Sequence, residues 1–273
     1  MDLRRELEVA IRLALRAGEL IRGFHASGIA VDRKAGNEPV TQADRDANAL
    51  LVAGLSAAFP GYGVLSEEAP DDGTRLTHER VWMIDPIDGT QDFIRGDSGF
   101  ATMIGLLDGE LPALGVVYQP LLDRLYFATR GDGSFCRDRE DAPVKLQVST
   151  VSDPAEIRMV ASKSHREETI DRVRSELGIR DELNVGSVGL KLGLIARGER
   201  DLYVNPSGHS KLWDTCGPQA ILDEAGGRIS DARGAPLLYR GGELGNLRGL
   251  IASNGHVHAE VVTRIAPLFG PAT

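Results

Sequence analysis

One ten-residue stretch, Val81–Thr90, constrains the fold more than any other part of the chain. It reads Val-Trp-Met-Ile-Asp-Pro-Ile-Asp-Gly-Thr, an apolar run that ends in two acids, a proline and a glycine. Short apolar runs bounded by turn residues are typical of buried strands. Because proline fixes its own φ and disfavours helical geometry in the residue before it, the strand is predicted to stop at Asp85. Asp followed by Pro is a preferred start for a type I turn, so a turn over Asp85–Asp88 is expected.

Such a turn would hold the carboxylates of Asp85 and Asp88 near each other. The Cα atoms at the ends of a β-turn lie within about 7 Å. Two like charges at about 4 Å repel by roughly 4 kcal/mol near a protein surface, and a cation would offset that repulsion. A helix after Gly89 would in addition offer free N–H groups to a phosphate. The stretch alone leaves two interpretations open, a surface turn that caps a helix or a metal site for phosphate chemistry.

Composition narrows the function classes. The chain has 273 residues and a formal net charge of −9, which argues against a nucleic-acid polymer or a basic membrane surface as partner. No stretch has the apolar core of a signal peptide or the ~20 apolar residues of a membrane span. The two cysteines, Cys136 and Cys216, are far apart and are expected to be free thiols in a reducing compartment. We therefore expect a cytoplasmic protein.

The order of predicted elements favours an α/β (α+β) fold in a single domain over residues 1–273. Amphipathic helices come first, an antiparallel meander follows from 99 to 151, and helices and strands alternate after it. The simplest architecture is two α/β layers around a central antiparallel sheet. A seam near residue 152 would divide the domain into lobes 1–151 and 152–273.

Further acids stand at predicted element boundaries. Thr41-Gln42-Ala43-Asp44 has the pattern of a capping box, and Asp214 follows Trp213 at a predicted helix N-cap. Glu67 and Glu68 follow a short apolar run and point to opposite faces if the chain is extended, so at most one of them can join a site beside Asp85.

The acids form a set that suits a particular metal. The set contains no His or Cys and offers only oxygen ligands, which favours two or more Mg²⁺ ions over Zn²⁺; its members are Glu67, Asp85, Asp88 and Asp214. His256 and His258 have no third candidate ligand and are predicted to lie on the surface.

Four motifs, taken together, resemble the signature of the inositol monophosphatase superfamily. They are Gly36-Asn37 with Thr41-x-x-Asp44, Ser66-Glu67-Glu68, Asp85-Pro86-Ile87-Asp88-Gly89-Thr90, and Trp213-Asp214. The resemblance implies the layered αβαβα sandwich shared with fructose-1,6-bisphosphatase. It also implies lithium-sensitive hydrolysis of phosphate monoesters that depends on two or three Mg²⁺ ions.

Carried over position by position, the resemblance implies roles for individual residues. The metal ligands would be Glu67, Asp85, the Ile87 carbonyl, Asp88 and Asp214. The catalytic groups would be Asp44 and Thr90, which activate the attacking water, together with Glu67. The N–H groups of Gly89 and Thr90 would hold the phosphate.

Within the superfamily the chain is most similar to CysQ-type 3'(2'),5'-bisphosphate nucleotidases. Ser162-Lys163-Ser164-His165 resembles their Ser-x-Ser-His segment, and Lys191–Gly198 resembles their Lys-x-x-Leu-Val-Ala-x-Gly segment. Lys191 is thus either a contact for a second phosphate or a solvated helix lysine. Val188 departs from the serine that many nucleotidases carry three residues before this lysine. The expected substrate-binding residues are Asp88, Gly89, Thr90, Ser162, Ser164, His165, Lys191 and Asp214.

The expected function is removal of the 3'-phosphate of adenosine 3',5'-bisphosphate to give AMP. The nearest alternative is an inositol monophosphatase or fructose-1,6-bisphosphatase activity. An alternative of another class is a non-catalytic, metal-stabilised scaffold that binds a protein or RNA. The expected partner is a small phosphorylated substrate, with no nucleic-acid polymer and no membrane, and a homodimer is a candidate assembly.

Overall fold

Helices and strands alternate along most of the chain. The computed structural model describes residues 2–27, 31–33, 39–163 and 167–269. Its α-helices are α1 (Arg4–Ser27), α2 (Gln42–Ala58), α3 (Thr90–Arg95), α4 (Glu168–Leu177), α5 (Val188–Ala196), α6 (Leu212–Glu224) and α7 (His258–Ile265). None of the helices in these ranges combines the length and the hydropathy that crossing a bilayer requires.

The strands form two large sheets and one small hairpin. The hairpin pairs β1 (Val31–Arg33) with β2 (Pro39–Thr41). The first large sheet runs in chain order through β3 (Gly63–Ser66), β4 (Arg80–Asp88), β5 (Ala101–Asp108), β6 (Leu111–Gln119), β7 (Arg124–Thr129), β8 (Gly133–Asp138) and β9 (Val144–Lys145). The second has the order β11-β10-β12-β14-β13, from β10 (Arg158–Ser162), β11 (Asp181–Val185), β12 (Leu202–Asn205), β13 (Arg228–Ser230) and β14 (Leu250–Ser253).

The helices and sheets stack in five layers. Helices α1 and α2 cover one face of the seven-stranded sheet, where their apolar side chains pack against Trp82 and Ile84. Helices α5 and α6 contact strands of both sheets and lie between them. Helices α4 and α7 pack on the far face of the five-stranded sheet, over Met159 and Leu202. The described layers thus have the expected αβαβα order, while the division into domains stays a prediction.

Strand β4 does not stop at Asp85, and the turn predicted over Asp85–Asp88 is wrong. The strand continues to Asp88, and there three residue steps of β4 pair with two steps of β5. Such a bulge leaves one residue out of the hydrogen-bond ladder, so it tolerates a proline. The Pro86 carbonyl accepts a hydrogen bond of 2.9 Å from the Thr102 hydroxyl, which holds the bulge to the neighbouring strand.

Glycines bring helix α6 unusually close to the seven-stranded sheet. A Cβ atom on Gly217 would stand 2.7 Å from the carbonyl oxygen of Ile104, and one on Gly115 would stand 2.0 Å from that of Gly217. Both distances are below van der Waals contact, so the helix backbone rests directly on the strands. This approach sets the position of the first turn of α6 relative to β4.

Two further sequence predictions need correction. Asp214 is not the N-cap of α6, because the helix begins at Leu212 and Asp214 lies within its first turn. His258 is buried and hydrogen-bonded to Ser230 and Ser253, at 2.9 Å each, although it was expected on the surface.

Candidate active site

Parallel pairing of β3 and β4 brings Glu67 and Asp85 to one edge of the seven-stranded sheet. Glu67 directly follows β3, and its N–H donates to the Ile84 carbonyl at 3.1 Å, which places it beside Asp85. Because side chains alternate along a strand, Asp85 shares a face with Val81 and Met83, the face that α6 covers. Asp85 is 2% exposed, and the Glu67 carboxyl lies within its hydrogen-bonding reach.

Asp214 reaches the same place from the first turn of α6. Its Oδ2 atom accepts the N–H of Lys211 at 2.8 Å, which fixes the side chain against the helix start. Its carboxyl group lies within hydrogen-bonding reach of Asp85. The glycine contact that seats α6 on the sheet therefore also places this third acid.

Asp88 is held by the start of helix α5. Its Oδ2 atom accepts the Ser187 hydroxyl at 2.5 Å and the Gly189 N–H at 3.1 Å. Ser187 is the N-cap of α5, and its Oγ accepts the Leu190 N–H at 3.2 Å. One oxygen of Asp88 is thus engaged by the middle helical layer, while Asp88 itself ends β4 in the seven-stranded sheet.

The clustered carboxyl groups destabilise one another's charged forms. Burial raises the pKa of Asp85 well above its usual range, and the charges of Glu67 and Asp88 raise it further. Burial and the charge of Asp88 also raise the pKa of Asp214 well above its usual range. Burial raises the pKa of Asp88 as well, against the opposing effect of the Lys191 ammonium. The cluster therefore carries negative charge that the protein only partly compensates.

The donor set fits Mg²⁺, although the side chains are not arranged around one common point. In the described part of the chain, no three Asp, Glu, His or Cys side chains form a ready-made metal site. The carboxyl groups contact one another instead, and Oδ1 of Asp85 is buried without a hydrogen-bond partner among the described residues. A hard cation would give this oxygen a partner and would offset the repulsion. The absence of sulfur and nitrogen donors from the set agrees with this choice.

Asp44 and Thr90 are each held by hydrogen bonds to residues close to them in sequence. Asp44 is 1% exposed and completes the predicted capping box, because its Oδ2 accepts both the N–H and the hydroxyl of Thr41, at 2.7 and 2.5 Å. The Thr90 hydroxyl donates to the Ile87 carbonyl at 3.0 Å. The joint action of Asp44 and Thr90 on a water stays a prediction.

Gly89 joins β4 to α3 in a conformation that other residues rarely adopt. Its φ is +93°, and a Cβ atom there would stand 2.9 Å from the Gly99 carbonyl oxygen and 3.3 Å from the Ser187 nitrogen. A larger residue would strain the backbone and push these segments apart. The junction that carries the N–H groups of Gly89 and Thr90 is fixed in this way.

Lys191 lies inside the protein, so the interpretation as a solvated lysine is wrong. Its side chain is fully buried, its Nζ donates to the Gly186 carbonyl at 2.5 Å, and Nζ stands 5.0 Å from the centroid of the Tyr203 ring. Burial lowers the pKa of Lys191 to about 8, against the opposing charges of Asp88 and Asp214. Contact between Lys191 and a substrate phosphate stays a prediction.

The remaining expected substrate residues lie at the end of β10. Ser162 is half-buried there and pairs with Val185 of β11. Ser164 and His165 lie outside the described residues. Lys163 follows Ser162, and its Nζ lies 2.5 Å from Asp97 and 3.8 Å from Asp92.

Sequence reasoning did not assign a role to Asp92 or to Ser187. Asp92 is 1% exposed and packs so closely on two glycines that a Cβ atom on Gly99 would stand 1.9 Å from its Oδ2, and one on Gly186 would stand 2.6 Å from it. Ser187 holds Asp88, as described above. The sequence signal for these two residues was the presence of glycines at 89, 99 and 186, which contact them in the fold. The glycines are far apart in sequence, so the tertiary fold was needed to show that they surround one place.

Comparison with known proteins gives consistent matches. Residues 2–267 match the Inositol monophosphatase family. The 3'(2'),5'-bisphosphate nucleotidase CysQ of Escherichia coli O157:H7 is 35% identical over 236 residues, which cover 85% of this chain and 93% of that protein. The histidinol-phosphatase of Mycobacterium tuberculosis is 33% identical over 264 residues, which cover 95% and 97% of the two chains. Among solved structures, the IMPase of Thermotoga maritima has a TM-score of 0.82 at 25% identity and covers 97% of this chain and 98% of its own.

The match and the site support the same conclusion. The matched region contains the whole acidic cluster, and the solved structure shares the layered fold. The CysQ match agrees with the similarity seen in the segments around Ser162 and Lys191. The chain belongs to the inositol monophosphatase family.

Proposed function

We propose that this protein is a Mg²⁺-dependent phosphatase that removes the 3'-phosphate of adenosine 3',5'-bisphosphate. Family membership supports phosphatase activity on a small phosphorylated substrate. The observation that carries the proposal is the cluster of mutually repelling carboxyl groups at the ends of β3 and β4 and in the first turn of α6, in which Asp85 is buried and the others are half-buried. The choice of nucleotide is supported by the identity to CysQ. It is also supported by Asn205–Ser210, which contains no acid to hold the hydroxyls of a polyol.

The acidic cluster would hold the metal. The proposed ligands are side-chain oxygens and one backbone carbonyl, from Glu67, Asp85, Ile87, Asp88 and Asp214, and two or three ions are proposed. When bound, Mg²⁺ would lower the pKa of water and neutralise charge on the phosphate. In this arrangement the Ser187 contact keeps one oxygen of Asp88 engaged, which leaves its other oxygen for the metal.

The surrounding residues would position the reactants. Asp44 and Thr90 are proposed to accept the proton of the attacking water, and Glu67 assists them. The N–H groups of Gly89 and Thr90 are proposed to donate to phosphate oxygens at the start of α3. Water then adds to phosphorus, the bond from phosphorus to the 3'-oxygen breaks, and that oxygen takes up a proton, which gives AMP and inorganic phosphate. Ser162, Ser164 and His165 are proposed contacts for the rest of the nucleotide.

Histidinol phosphate is a second candidate substrate. The histidinol-phosphatase of M. tuberculosis aligns over 95% of this chain, a larger share than CysQ, at nearly the same identity. Its name therefore weighs against an assignment that rests on CysQ alone. Both candidates use the same metal site and differ only in the pocket beside it.

A substrate panel tests the proposed function. Phosphate release with Mg²⁺ would be measured on adenosine 3',5'-bisphosphate, histidinol phosphate, inositol 1-phosphate and fructose 1,6-bisphosphate. We expect kcat/KM for the nucleotide to exceed the others by about tenfold or more, since a hydrogen bond to a charged group contributes about 1.5–3 kcal/mol and about 1.4 kcal/mol corresponds to tenfold. Faster turnover of any of the other substrates would refute the nucleotide assignment, and the identity of that substrate would replace it.

The variant Asp88→Asn separates an enzyme from a metal-stabilised scaffold. Asn retains an acceptor for Ser187 but removes the charge, so the fold is expected to persist while Mg²⁺-dependent phosphate release is lost. Circular dichroism and phosphate release would be measured on the same samples. Equal inactivity of wild type and variant on every phosphomonoester would favour the scaffold.

A further inference from the structure

We propose that Lys191 is an internal counter-ion that positions Asp88, and that it does not bind the second phosphate of the substrate. The role of Lys191 in substrate choice rests on the proposed function, whereas its role toward the acidic cluster does not. The proposal concerns how this chain holds its metal site and selects its substrate.

The first argument is the location of the Lys191 ammonium. The side chain is fully buried, and Nζ already donates to the Gly186 carbonyl at 2.5 Å. Nζ also lies 5.0 Å from the centroid of the Tyr203 ring, a cation–π distance. The ammonium has two further donors, but no part of the Lys191 side chain is exposed, so a substrate phosphate could meet them only if the residues that cover Lys191 moved.

The second argument is the charge around Lys191. The groups that act on it are three carboxylates, those of Asp88, Asp214 and Asp92. In turn, the Lys191 charge is the largest of the effects that lower the pKa of Asp88 and so favour its ionised form. A dianionic phosphate brought to this place would compete with Asp88 and Asp214 for the ammonium, whereas Asp92 also has Arg95 at 3.3 Å and Lys163 at 3.8 Å. The ammonium therefore offsets part of the negative charge of the acidic cluster.

The third argument is the chain of contacts from Lys191 to Asp88. Lys191 donates a hydrogen bond to the carbonyl of Gly186, and Gly186 directly precedes Ser187 in sequence. Ser187 donates its hydroxyl to Asp88 and its N–H to the Gly99 carbonyl, the latter at 2.8 Å. Lys191 therefore closes the first turn of α5 over the residues that orient Asp88. Loss of the ammonium would loosen this turn and would also raise the negative charge of the cluster.

These two roles of Lys191 give different results in the same variant. If Lys191 bound a second phosphate, Lys191→Met would raise KM for a bisphosphate and spare a monophosphate. If it serves the cluster, Lys191→Met lowers kcat for both substrates by the same factor. The additional net negative charge then makes Mg²⁺ bind at lower concentration.

The experiment compares wild type, Lys191→Met and the control Lys145→Met. Lys145 is exposed on β9, at the opposite edge of the seven-stranded sheet from β3 and β4. The first readout is kcat and KM for adenosine 3',5'-bisphosphate and for adenosine 3'-monophosphate. The second is the Mg²⁺ concentration at the midpoint of thermal stabilisation, which needs no substrate. If Lys191→Met fails to fold, Lys191→Gln keeps a donor for Gly186 and removes the charge.

We expect the variant to lose about tenfold or more in kcat on both nucleotides, with their kcat/KM ratio changed by less than about threefold. We also expect its Mg²⁺ midpoint to fall by about threefold or more, while Lys145→Met matches wild type. A rise of about tenfold in KM for the bisphosphate alone would overturn the proposal, and so would an unchanged Mg²⁺ midpoint. If wild type hydrolyses neither nucleotide, the proposed function fails, and the Mg²⁺ midpoint still decides the role of Lys191.

Discussion

Asp88 is held by the start of α5 and lies close to the other acids. Its Oδ2 accepts two hydrogen bonds from the start of α5, and its charge raises the pKa values of Asp85 and Asp214. This arrangement fixes the rotation of the carboxylate before any ligand arrives. Such pre-organisation is what a metal site requires, because the protein then spends no binding energy on orienting its ligand.

The hydroxyl of Ser187 can be tested by its removal. Ser187→Ala deletes a hydrogen bond to a charged group, worth about 1.5–3 kcal/mol. We expect kcat to fall about tenfold with KM nearly unchanged, because Asp88 loses orientation and the substrate loses no contact. Steady-state phosphate release would measure this. Ser134→Ala is the control, since Ser134 is buried and its hydroxyl has no hydrogen-bond partner among the described residues; an equal loss in both variants would contradict the account.

His258 gives the protein a second pH-dependent element, far from the acidic cluster in sequence. Burial lowers the pKa of His258 to about 4, with a smaller contribution from Arg228. The folded state therefore binds its proton more weakly than the unfolded state does. The stability that neutral His258 contributes is complete above about pH 6.5 and is lost as the pH falls toward about 4.

His258→Asn should therefore flatten the acid side of the stability profile. We expect the acid-dependent loss in free energy of unfolding to shrink by about 1 kcal/mol, after allowance for solvent screening. Urea unfolding at several pH values would measure it. His256→Asn, at an exposed position two residues earlier, is the matched control and should leave the profile unchanged. The same profile in wild type and His258→Asn would contradict this role.

Helix α6 links the architecture to the site through its contact with the sheet. Gly217 rests on the backbone of β5, one turn after Asp214 on the same helix. Gly217→Ala would force the helix outward, since its Cβ would stand 2.7 Å from a backbone oxygen. We expect the free energy of unfolding to fall by about 1–3 kcal/mol and kcat to fall with it, because Asp214 moves away from Asp85.

The control for Gly217→Ala is Gly23→Ala in helix α1. A Cβ atom on Gly23 would have no neighbour within 4 Å among the described residues, so this change should be neutral or stabilising by up to about 1 kcal/mol. Chemical denaturation and phosphate release would be measured on both variants. A fully active and stable Gly217→Ala would show that close packing of α6 does not position Asp214.

At the scale of the elements, the sequence predicted the acids of the site but not the local structure around them. The acids of the cluster were recognisable, because each follows an apolar run or an aromatic residue at a boundary. The bulge that carries Pro86 was not, since local preferences favour a turn and the hydroxyl that accommodates the strand comes from β5. The burial of Lys191 was equally hidden. Helix α5 lies between two sheets and is buried on nearly all sides, so no amphipathic pattern marks the inward face.

At the scale of the whole molecule, repulsion within the acidic cluster lowers the free energy of unfolding of the metal-free protein, and a bound cation would offset it. The folded-state pKa values of Asp85 and Asp214 are raised, so these groups bind protons more tightly in the folded state than in the unfolded state. Their destabilising effect is absent below about pH 4 and grows as the pH rises through the raised values. Mg²⁺ should cancel this effect.

Metal removal should therefore matter more at alkaline than at acid pH. We expect the rise in Tm from EDTA to saturating Mg²⁺ to be larger at about pH 8 than at about pH 5, because the carboxyl groups then carry more charge in the metal-free protein. Differential scanning fluorimetry at both pH values would measure it. Because the difference in Tm between EDTA and Mg²⁺ is taken at each pH, the contribution of other titrating groups such as His258 cancels, and the contribution of the cluster remains. An equal Mg²⁺ effect at both pH values would contradict this account of the cluster.

The central claim is that the clustered acids repel one another until they bind a metal that performs phosphate chemistry. Asp85→Asn, at the buried member of the cluster, tests it most directly. Metal-free unfolding, Mg²⁺-dependent stabilisation and phosphate release would be measured on wild type and variant near pH 8. Because Asn removes a buried charge from the repelling cluster, we expect a higher Tm than wild type in EDTA, a much smaller Mg²⁺-induced rise, and no phosphate release. A variant that is less stable than wild type in EDTA, yet still responds to Mg²⁺ and releases phosphate, would contradict the claim.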